Sequence, residues 1–305
     1  MSADQPKNVA ASVHQRLLNL ARAQPTDVNL LFTRYGLERF LYRLGRSPHA
    51  DSFVLKGAML FYVWTGAASR PTRDLDLLAH LEADPEQIRR VVQNVCLLAV
   101  ADDGLEFQPA LMQIEATQAL RRFGGFRVVV PARLGKVRLQ IQIDLGFGDV
   151  VTPAPKRIKY PTLLDQPAPE LAAYHMETVV AEKVEAIVKL GMTNTRTKDY
   201  YDILALASGF AFKGADLASS LAVTFRTRGT TLPSDIPPGL SDEFGLDAAA
   251  RSRWQAFLKR NKFVGDPAWA ATVAAVRTFV LPALHAAERG KGLAQAWPAG
   301  GPWRR

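Results

Sequence analysis

Two acidic residues, Asp74 and Asp76, are separated by one position in the run Asp74-Leu75-Asp76-Leu77-Leu78. The first four residues alternate between polar and apolar, which predicts a β-strand. Successive strand side chains point to opposite faces, so both carboxylates should lie on the same face. Like charges there need a cation between them, and Mg²⁺ suits them because it prefers oxygen ligands. The pair predicts a metal site for phosphate chemistry, although an isolated pair can also border a solvated strand.

A third carboxylate normally completes such a site. Asp144 is the only acidic residue in the strand-like run Leu139-Gln140-Ile141-Gln142-Ile143-Asp144-Leu145. A strand carrying it beside Asp74 and Asp76 would bring the three carboxylates together. We therefore predict that Asp144 is the third Mg²⁺ ligand.

The segment before the paired aspartates contains a glycine turn. Phe53-Val54-Leu55 leads through Lys56-Gly57 into the apolar run that begins at Ala58, which indicates a strand, a turn and a helix. Free backbone N–H groups at a helix N-terminus bind phosphate oxygens, and glycine permits a triphosphate to approach closely. Because Ala58 has no hydroxyl group, phosphate contact here would depend on the backbone.

The elements that must position these residues follow from hydrophobic periodicity and turn signals. Residues 1–165 combine two leading helices with a strand-rich core at about residues 50–150. A proline-marked stretch over residues 153–169 separates this part from residues 166–305, where helical patterns predominate. We predict an α+β (α/β) fold, with a mixed sheet and flanking helices followed by an all-helical C-terminal domain. This bilobed arrangement is expected to form the active-site cleft.

Composition excludes several broad classes of protein. The chain has 305 residues, 48% hydrophobic and 22% charged, which are values of folded proteins rather than disordered ones. Cys96 is the single cysteine and cannot form an internal disulfide. No signal peptide or uninterrupted apolar run of membrane length is evident, so we expect a cytoplasmic protein with no membrane partner. The net charge of +9 is spread over both halves and favours a polyanionic partner.

Four segments resemble a known family. Residues 54–60 and 70–78 are similar to the glycine turn and DxD strand of the AbiEii/AbiGii toxins, which include the MenT toxins. These belong to the nucleotidyltransferase superfamily with the DNA polymerase β type of fold. Residues 182–186 and 196–203 resemble the family's two later motifs, in the same order. The resemblance implies a toxin of a toxin–antitoxin, abortive-infection type system with a cognate antitoxin.

The resemblance also implies an activity and roles for particular residues. The expected reaction moves a nucleotide from a nucleoside triphosphate (NTP) to RNA, with the tRNA 3′ acceptor end as the expected substrate, and so blocks translation. Mg²⁺ would be held by Asp74 and Asp76, with Asp144 as the third ligand. Lys183 would contact the triphosphate, and either Asp199 or Asp202 would complete the active site. The residues expected to bind the nucleotide are Lys56, Gly57, Ala58, Thr72, Lys183, Arg196 and Lys198.

Some of these residues also have simpler interpretations. Lys183 lies between Glu182 and Glu185 and could form an ordinary salt bridge on a helix surface. The segment from Arg196 to Asp202 could equally be the capped start of a solvated helix. Thr72, two positions before the first aspartate, stands where some relatives carry a serine that their antitoxin phosphorylates.

A basic stretch occupies residues 121–138. It contains six basic residues and no acid, which suits a nucleic-acid surface, although a solvated hairpin is the simpler interpretation. The six are Arg121, Arg122, Arg127, Arg133, Lys136 and Arg138. Two alternative functions stay open: transfer of a nucleotide to a small molecule or a protein, and a catalytically inactive nucleic-acid-binding module.

Overall fold

The computed structural model describes residues 8–24, 26–66, 70–117, 124–261, 263 and 267–305. The chain forms two compact units. Unit 1 contains Met1–Gly148 and Lys156–Ala173, and unit 2 contains Asp149–Pro155 and Tyr174–Arg305. The boundary predicted near residue 165 lies inside unit 1, and the chain passes between the units three times rather than once.

Unit 1 is a mixed sheet with helices. Its described helices are α1 (Val9–Ala23), α2 (Val28–Arg46), α3 (Leu60–Thr65) and α4 (Pro85–Cys96). Its strands are β1 (Phe53–Lys56), β2 (Asp74–Ala79), β3 (Leu105–Phe107), β4 (Gln113–Thr117), β5 (Gly125–Leu134), β6 (Val137–Phe147), β7 (Lys156–Lys159) and β8 (Glu170–Ala173). The strand order is β3-β5-β6-β2-β1-β8-β7, and β4 also pairs with β5. The predicted mixed sheet with flanking helices is confirmed.

The sheet departs from the prediction in two places. The strand-like run from Phe107 to Ala116 contains parts of two strands, β3 and β4, because a short 3₁₀ turn at Pro109–Leu111 separates them. Strands β7 and β8 lie in or beside the proline-marked stretch, and β7 was not predicted. Its sequence, Lys-Arg-Ile-Lys, has one apolar residue, since this strand lies at the edge of the sheet and needs little apolar surface.

Alternate residues of the central strands form two chemically different faces. Leu75 and Leu77 of β2 are buried, as are Ile141 and Ile143 of the parallel strand β6. Helix α2 lies close to this apolar face at Gly36, where a Cβ would overlap the side chain of Ile141. The alternate residues, including both predicted aspartates of β2, lie on the other face. Burial of one face therefore fixes the carboxylates on the opposite one.

Local signals explain where the helices begin. Asp84 caps α4, because its carboxylate accepts a hydrogen bond from the backbone N–H of Gln87 at 2.7 Å. Pro85 occupies the first helical position, where no N–H is required. Asp27 caps α2 in a similar way.

Unit 2 is mainly helical. Its described helices are α5 (Met176–Leu190), α6 (Thr197–Gly209), α7 (Gly214–Arg228), α8 (Asp242–Leu246), α9 (Ala248–Asn261) and α10 (Trp269–Glu288). The prediction of an all-helical domain was incomplete, because β9 (Phe212–Lys213) pairs with β10 (Ala296–Trp297). The C-terminal segment is held there by Trp297, whose indole N–H donates to the carbonyl of Ala207 at 2.7 Å.

Helix α10 is long and apolar. Within the described part of the chain, it is the one helix that could cross a membrane by length and composition, but half of that stretch is buried inside the protein. Its Arg277 forms an ion pair with Asp242 at 2.8 Å. Buried core helices show the same pattern, so the composition is weak evidence for a membrane span.

Candidate active site

The glycine turn at the end of β1 lies against the paired aspartates. Lys56 is directly opposite Asp76 in the antiparallel register of β1 and β2. Gly57 has φ +74°, and a Cβ there would overlap the carboxylate of Asp76. Glycine is therefore required twice, for its left-handed backbone and for the space that Asp76 occupies. We expected a triphosphate to approach the backbone closely at Gly57. In this structure the space beside Gly57 is occupied by a carboxylate of the chain itself.

The α-helix after this turn begins two residues later than the apolar run that predicted it. Gly57–Met59 is a 3₁₀ turn, and the α-helix that follows, α3, has six residues. Ala58 is buried, and so is Lys56. The helix whose N-terminus was predicted to contact phosphate is therefore short.

Strand pairing brings the three predicted carboxylates close to one another. Asp76 of β2 is opposite Asp144 of β6, and Asp74 is opposite Gln142. Residues opposite one another in a sheet lie on the same face. The hydroxyl of Thr72, which is buried, donates to Oδ1 of Asp74 at 2.7 Å. Thr72 therefore orients the first aspartate.

The third carboxylate is bound to an arginine. Arg127 of β5 is opposite Asp144, and its Nε and Nη2 donate to Oδ1 and Oδ2 at 2.8 and 2.9 Å. Nε2 of Gln142 is 3.4 Å from Oδ2 as well. The hydrogen bonds to Asp144 raise the pKa of Arg127, and the charges of Asp144, Asp74 and Glu115 act in the same direction.

The donor set fits a magnesium ion in part. Asp74 and Asp76 are half-buried oxygen donors on one face, as this hard cation prefers. Asp144 instead directs both oxygens at Arg127. Over the described ranges, no group of three or more His, Cys, Asp or Glu side chains is arranged to hold a metal ion. Two of the three predicted ligands are thus suitably placed.

Unit 2 contains the other predicted acidic and basic residues in one buried network. Nζ of Lys183 on α5 lies 2.9 Å from Oδ1 of Asp199 and 2.8 Å from Oδ2 of Asp202, both on α6. The two carboxylates are fully buried. Their spacing of three residues places them on one side of the helix, so Lys183 binds both. A salt bridge on a solvated surface does not describe this arrangement.

The pKa of Asp199 reflects this network. Burial alone would raise it, but the charges of Lys183 and Arg196, with the hydrogen bonds that both donate, lower the pKa of Asp199 to about 2. Arg196 is half-buried at the start of α6, whereas Lys198, also predicted to bind the nucleotide, is exposed.

The glutamates beside Lys183 have a different partner. Arg228 of α7 lies 2.9 Å from Glu182 and 3.1 Å from Glu185, and its Nε donates to Asp149 at 3.1 Å. Sequence spacing did not indicate this cluster, because Arg228 is far from all three acids along the chain. A basic residue near the end of a predicted helix was the one available signal.

The predicted basic surface is only partly described. Arg121 and Arg122 lie outside the described residues. Arg127 is bound to Asp144 as above, and thus is not one of a row of solvated cations. Arg133 and Arg138 are exposed and directly opposite each other on β5 and β6, and Lys136 is exposed in the turn between these strands.

The mixed sheet presents paired aspartates beside a glycine turn, the arrangement expected of a nucleotidyltransferase-type domain. The chain belongs to the family described as "Nucleotidyl transferase AbiEii toxin, Type IV TA system", which it matches over residues 39–276. It is therefore a nucleotidyltransferase of a toxin–antitoxin system, and a cognate antitoxin is implied. The family and enzyme class predicted from the four motifs are confirmed.

Several solved structures are similar to this chain, among them the following two. JHP933 from Helicobacter pylori has 16% sequence identity and a TM-score of 0.48, over 92% of this chain and 94% of that one. MenT4, a nucleotidyltransferase toxin from Mycobacterium tuberculosis H37Rv, has 17% identity and a TM-score of 0.45, over 90% of this chain and 97% of that one. No curated protein sequence matches the chain.

Proposed function

We propose that this toxin transfers a nucleotide from an NTP to RNA in a Mg²⁺-dependent reaction, with the tRNA 3′ acceptor end as the site of addition. The observation that carries the proposal is the strand register. It sets Asp76 opposite Lys56 on one side and Asp144 on the other, with Asp74 on the same face. Carboxylates grouped at the end of a glycine turn suit a reaction in which positioning and cations provide most of the catalysis.

Five residues have assigned roles in the proposed reaction. Asp74 and Asp76 would hold the metal, which supplies positive charge to neutralise the phosphates. Thr72 fixes the orientation of Asp74 through its 2.7 Å hydrogen bond, and Gly57 leaves room for Asp76. Lys183, held by two buried carboxylates, is our candidate for a cation that contacts the triphosphate.

The hairpin of β5 and β6 is our candidate surface for the acceptor RNA. Arg133 and Arg138 are on the same sheet face as Asp144, because each lies six positions along its strand from the pair Arg127–Asp144, and an even offset keeps the face. Two cations directly opposite each other repel; Glu106 of β3, opposite Arg133 on its other side, offsets part of that repulsion, and phosphate oxygens would offset the rest. Within the described residues, neither Arg133 nor Arg138 forms an ion pair.

A labelling assay tests the proposal. Purified protein is incubated with Mg²⁺, total tRNA and each labelled NTP in turn, and the RNA is separated on a gel. We expect label on tRNA with at least one NTP, and none with Asp74→Asn or Asp76→Asn. Glu86→Gln on α4, which removes an exposed acid elsewhere in unit 1, is the matched control and should keep full activity.

Other results would favour the alternatives. Label on protein or a small molecule in RNA-free reactions would indicate a different acceptor. RNA binding that EDTA does not affect, with no transfer of any NTP, would indicate an inactive binding module. Expression of the toxin in the cytoplasm of a host cell should arrest the growth of that cell. Expression of the aspartate variants should not.

A further inference from the structure

The bond between Arg127 and Asp144 changes the expected role of the third carboxylate. Both oxygens of Asp144 accept a charge-assisted hydrogen bond from one guanidinium group, at 2.8 and 2.9 Å. Fork-like pairs of this kind are among the strongest hydrogen bonds between side chains. A metal ion that used Asp144 would have to share its two oxygens with Arg127 and would lie beside the positive charge of the guanidinium group. The geometry therefore opposes Asp144 as a metal ligand.

Arg127 retains binding capacity toward the open face of the sheet. An arginine has five N–H donors, and Asp144 takes the edge formed by Nε and Nη2. Its side chain is 42% exposed, whereas that of Asp144 is 19% exposed. The remaining edge of the guanidinium group has the planar, two-pronged geometry that phosphate oxygens fit.

The position of Arg127 places this capacity beside the metal-binding pair. Arg127 is opposite Asp144, which is opposite Asp76 on the next strand. The three residues lie in one row across the sheet and on one face. The negative charges of Asp144, of Asp74 and of Glu115, which lies opposite Arg127 on β4, act on Arg127. A phosphate bound between Arg127 and a metal ion on Asp74 and Asp76 would have cations on two sides.

We propose that Arg127 binds a phosphate group of the NTP, and that Asp144 is its positioning residue instead of a third metal ligand. This inference rests on the proposed function, because it assigns residues of the same site. It replaces a site of three carboxylates with two carboxylates and one fixed arginine. Gln142, at 3.4 Å from Asp144, helps to keep that carboxylate turned toward Arg127.

Two binding titrations test the inference without any transfer reaction. Mn²⁺ serves as the metal probe, followed by electron paramagnetic resonance, and inorganic tripolyphosphate serves as the phosphate probe, followed by calorimetry. We expect Asp144→Asn to leave the Kd for Mn²⁺ within about twofold, while Asp74→Asn with Asp76→Asn weakens it more than tenfold. We expect Arg127→Gln and Asp144→Asn each to weaken tripolyphosphate binding about tenfold, in line with the loss of one charge-assisted contact.

The double variant and two further proteins complete the test. Arg127→Gln combined with Asp144→Asn should bind tripolyphosphate no more weakly than Arg127→Gln alone, because Asp144 acts through Arg127. Arg127→Lys keeps the charge and loses the fork, so it should be intermediate, and it serves if the glutamine variant does not fold. Arg90→Gln on α4 removes an exposed arginine elsewhere in unit 1 and should change neither Kd.

Two outcomes would overturn the inference. The first is a tenfold or greater loss of Mn²⁺ affinity in Asp144→Asn, which would make this carboxylate a metal ligand. The second is unchanged tripolyphosphate binding in Arg127→Gln, or no binding by the wild-type protein. Neither titration needs an acceptor, so failure of the labelling assay would leave these results interpretable and would affect only the proposed reaction.

Discussion

Gly57 and Asp76 show how one missing side chain can set the geometry of the candidate active site. The φ angle of Gly57 is +74°, and its Cα faces the carboxylate of Asp76 so closely that a Cβ has no room. Gly66, at the end of α3, has a similar φ of +71° with nothing within 4 Å of the place of a Cβ. The two glycines share a backbone requirement and differ in their surroundings.

This difference gives a prediction with its own control. Gly57→Ala and Gly66→Ala should each cost about 1 kcal/mol of folding stability, because both place alanine in a left-handed conformation. Gly57→Ala should in addition displace Asp76, lower Mn²⁺ affinity more than tenfold and abolish transfer. Thermal unfolding and Mn²⁺ titration of both variants measure the two effects. Equal metal affinity in both variants would contradict this account of Gly57.

Asp199 leads to a prediction about pH. Its pKa is about 2 in the folded protein, below the ordinary value of 3.8, although burial alone would raise it. A lowered pKa stabilises the fold above pH 4, and this contribution is lost as the pH falls from about 4 to about 2. The shift corresponds to about 2 kcal/mol.

Urea unfolding at pH 6 and pH 3 measures the effect. The wild-type protein should lose about 1 to 2 kcal/mol more stability on acidification than Asp199→Asn does. The exposed Asp235, in unit 2, supplies the control, and Asp235→Asn should retain the acid dependence of the wild type. An Asp199→Asn protein with that same dependence would show that another group titrates.

Among the elements, the hairpin of β5 and β6 carries two cross-strand pairs of charged residues on one face. Arg127 and Asp144 are opposite each other near its base, and Arg133 and Arg138 are opposite each other near its turn. Six residues of strand separate the two pairs, roughly 20 Å at about 3.3 Å per residue. An extended RNA strand could therefore contact the outer arginines while its end lies nearer the carboxylates.

Charge removal at the outer pair tests this surface. Arg133→Gln with Arg138→Gln should weaken tRNA binding about tenfold and flatten the slope of log Kd against log salt by about 1.4 to 1.8, the value for two lost phosphate contacts. Arg22→Gln with Arg90→Gln makes the same charge change on α1 and α4 and should have a small effect. Fluorescence anisotropy measured between about 50 and about 200 mM salt compares the tRNA binding of the two double variants. Equal losses of tRNA affinity in the two double variants would show that the net charge of the protein, and not this surface, determines binding.

For the whole molecule, the path of the chain determines which fragments can fold. The chain leaves unit 1 after Gly148, returns at Lys156 and leaves again after Ala173. Strand β8 lies in the last part of unit 1, between β1 and β7 in the sheet. A fragment that ends at the predicted boundary near residue 165 lacks β8, and with it the buried Leu171.

Two truncated chains test the importance of this strand. A fragment of residues 1–165 should aggregate or unfold at a lower temperature than one of residues 1–173, because loss of β8 exposes the edge of β1 and leaves β7 unpaired. Gel filtration and thermal unfolding followed by circular dichroism compare the two. A stable, monomeric 1–165 fragment would show that β8 is dispensable.

Prediction succeeded wherever the signal was local. Period-two alternation placed Asp74 and Asp76 on one strand face, and helical spacing placed Asp199 and Asp202 on one side of α6. Four motifs in the family's order identified the class of enzyme. The edge strand β7 escaped notice because strands of mostly charged residues resemble loops. The turn after Leu134 could have supplied the pairing of Arg127 with Asp144, by counting residues back along both strands.

The residue types and their spacing were sufficient for the family, the paired carboxylates and the helices of unit 2, because alternation and periodicity are properties of a short stretch of chain. The partners of the charged residues in unit 2 were decided only by the fold. Lys183 binds two aspartates of another helix, while its neighbours Glu182 and Glu185 bind Arg228. Such pairs join residues distant in the chain, so they depend on strand register and helix packing, which no local pattern encodes.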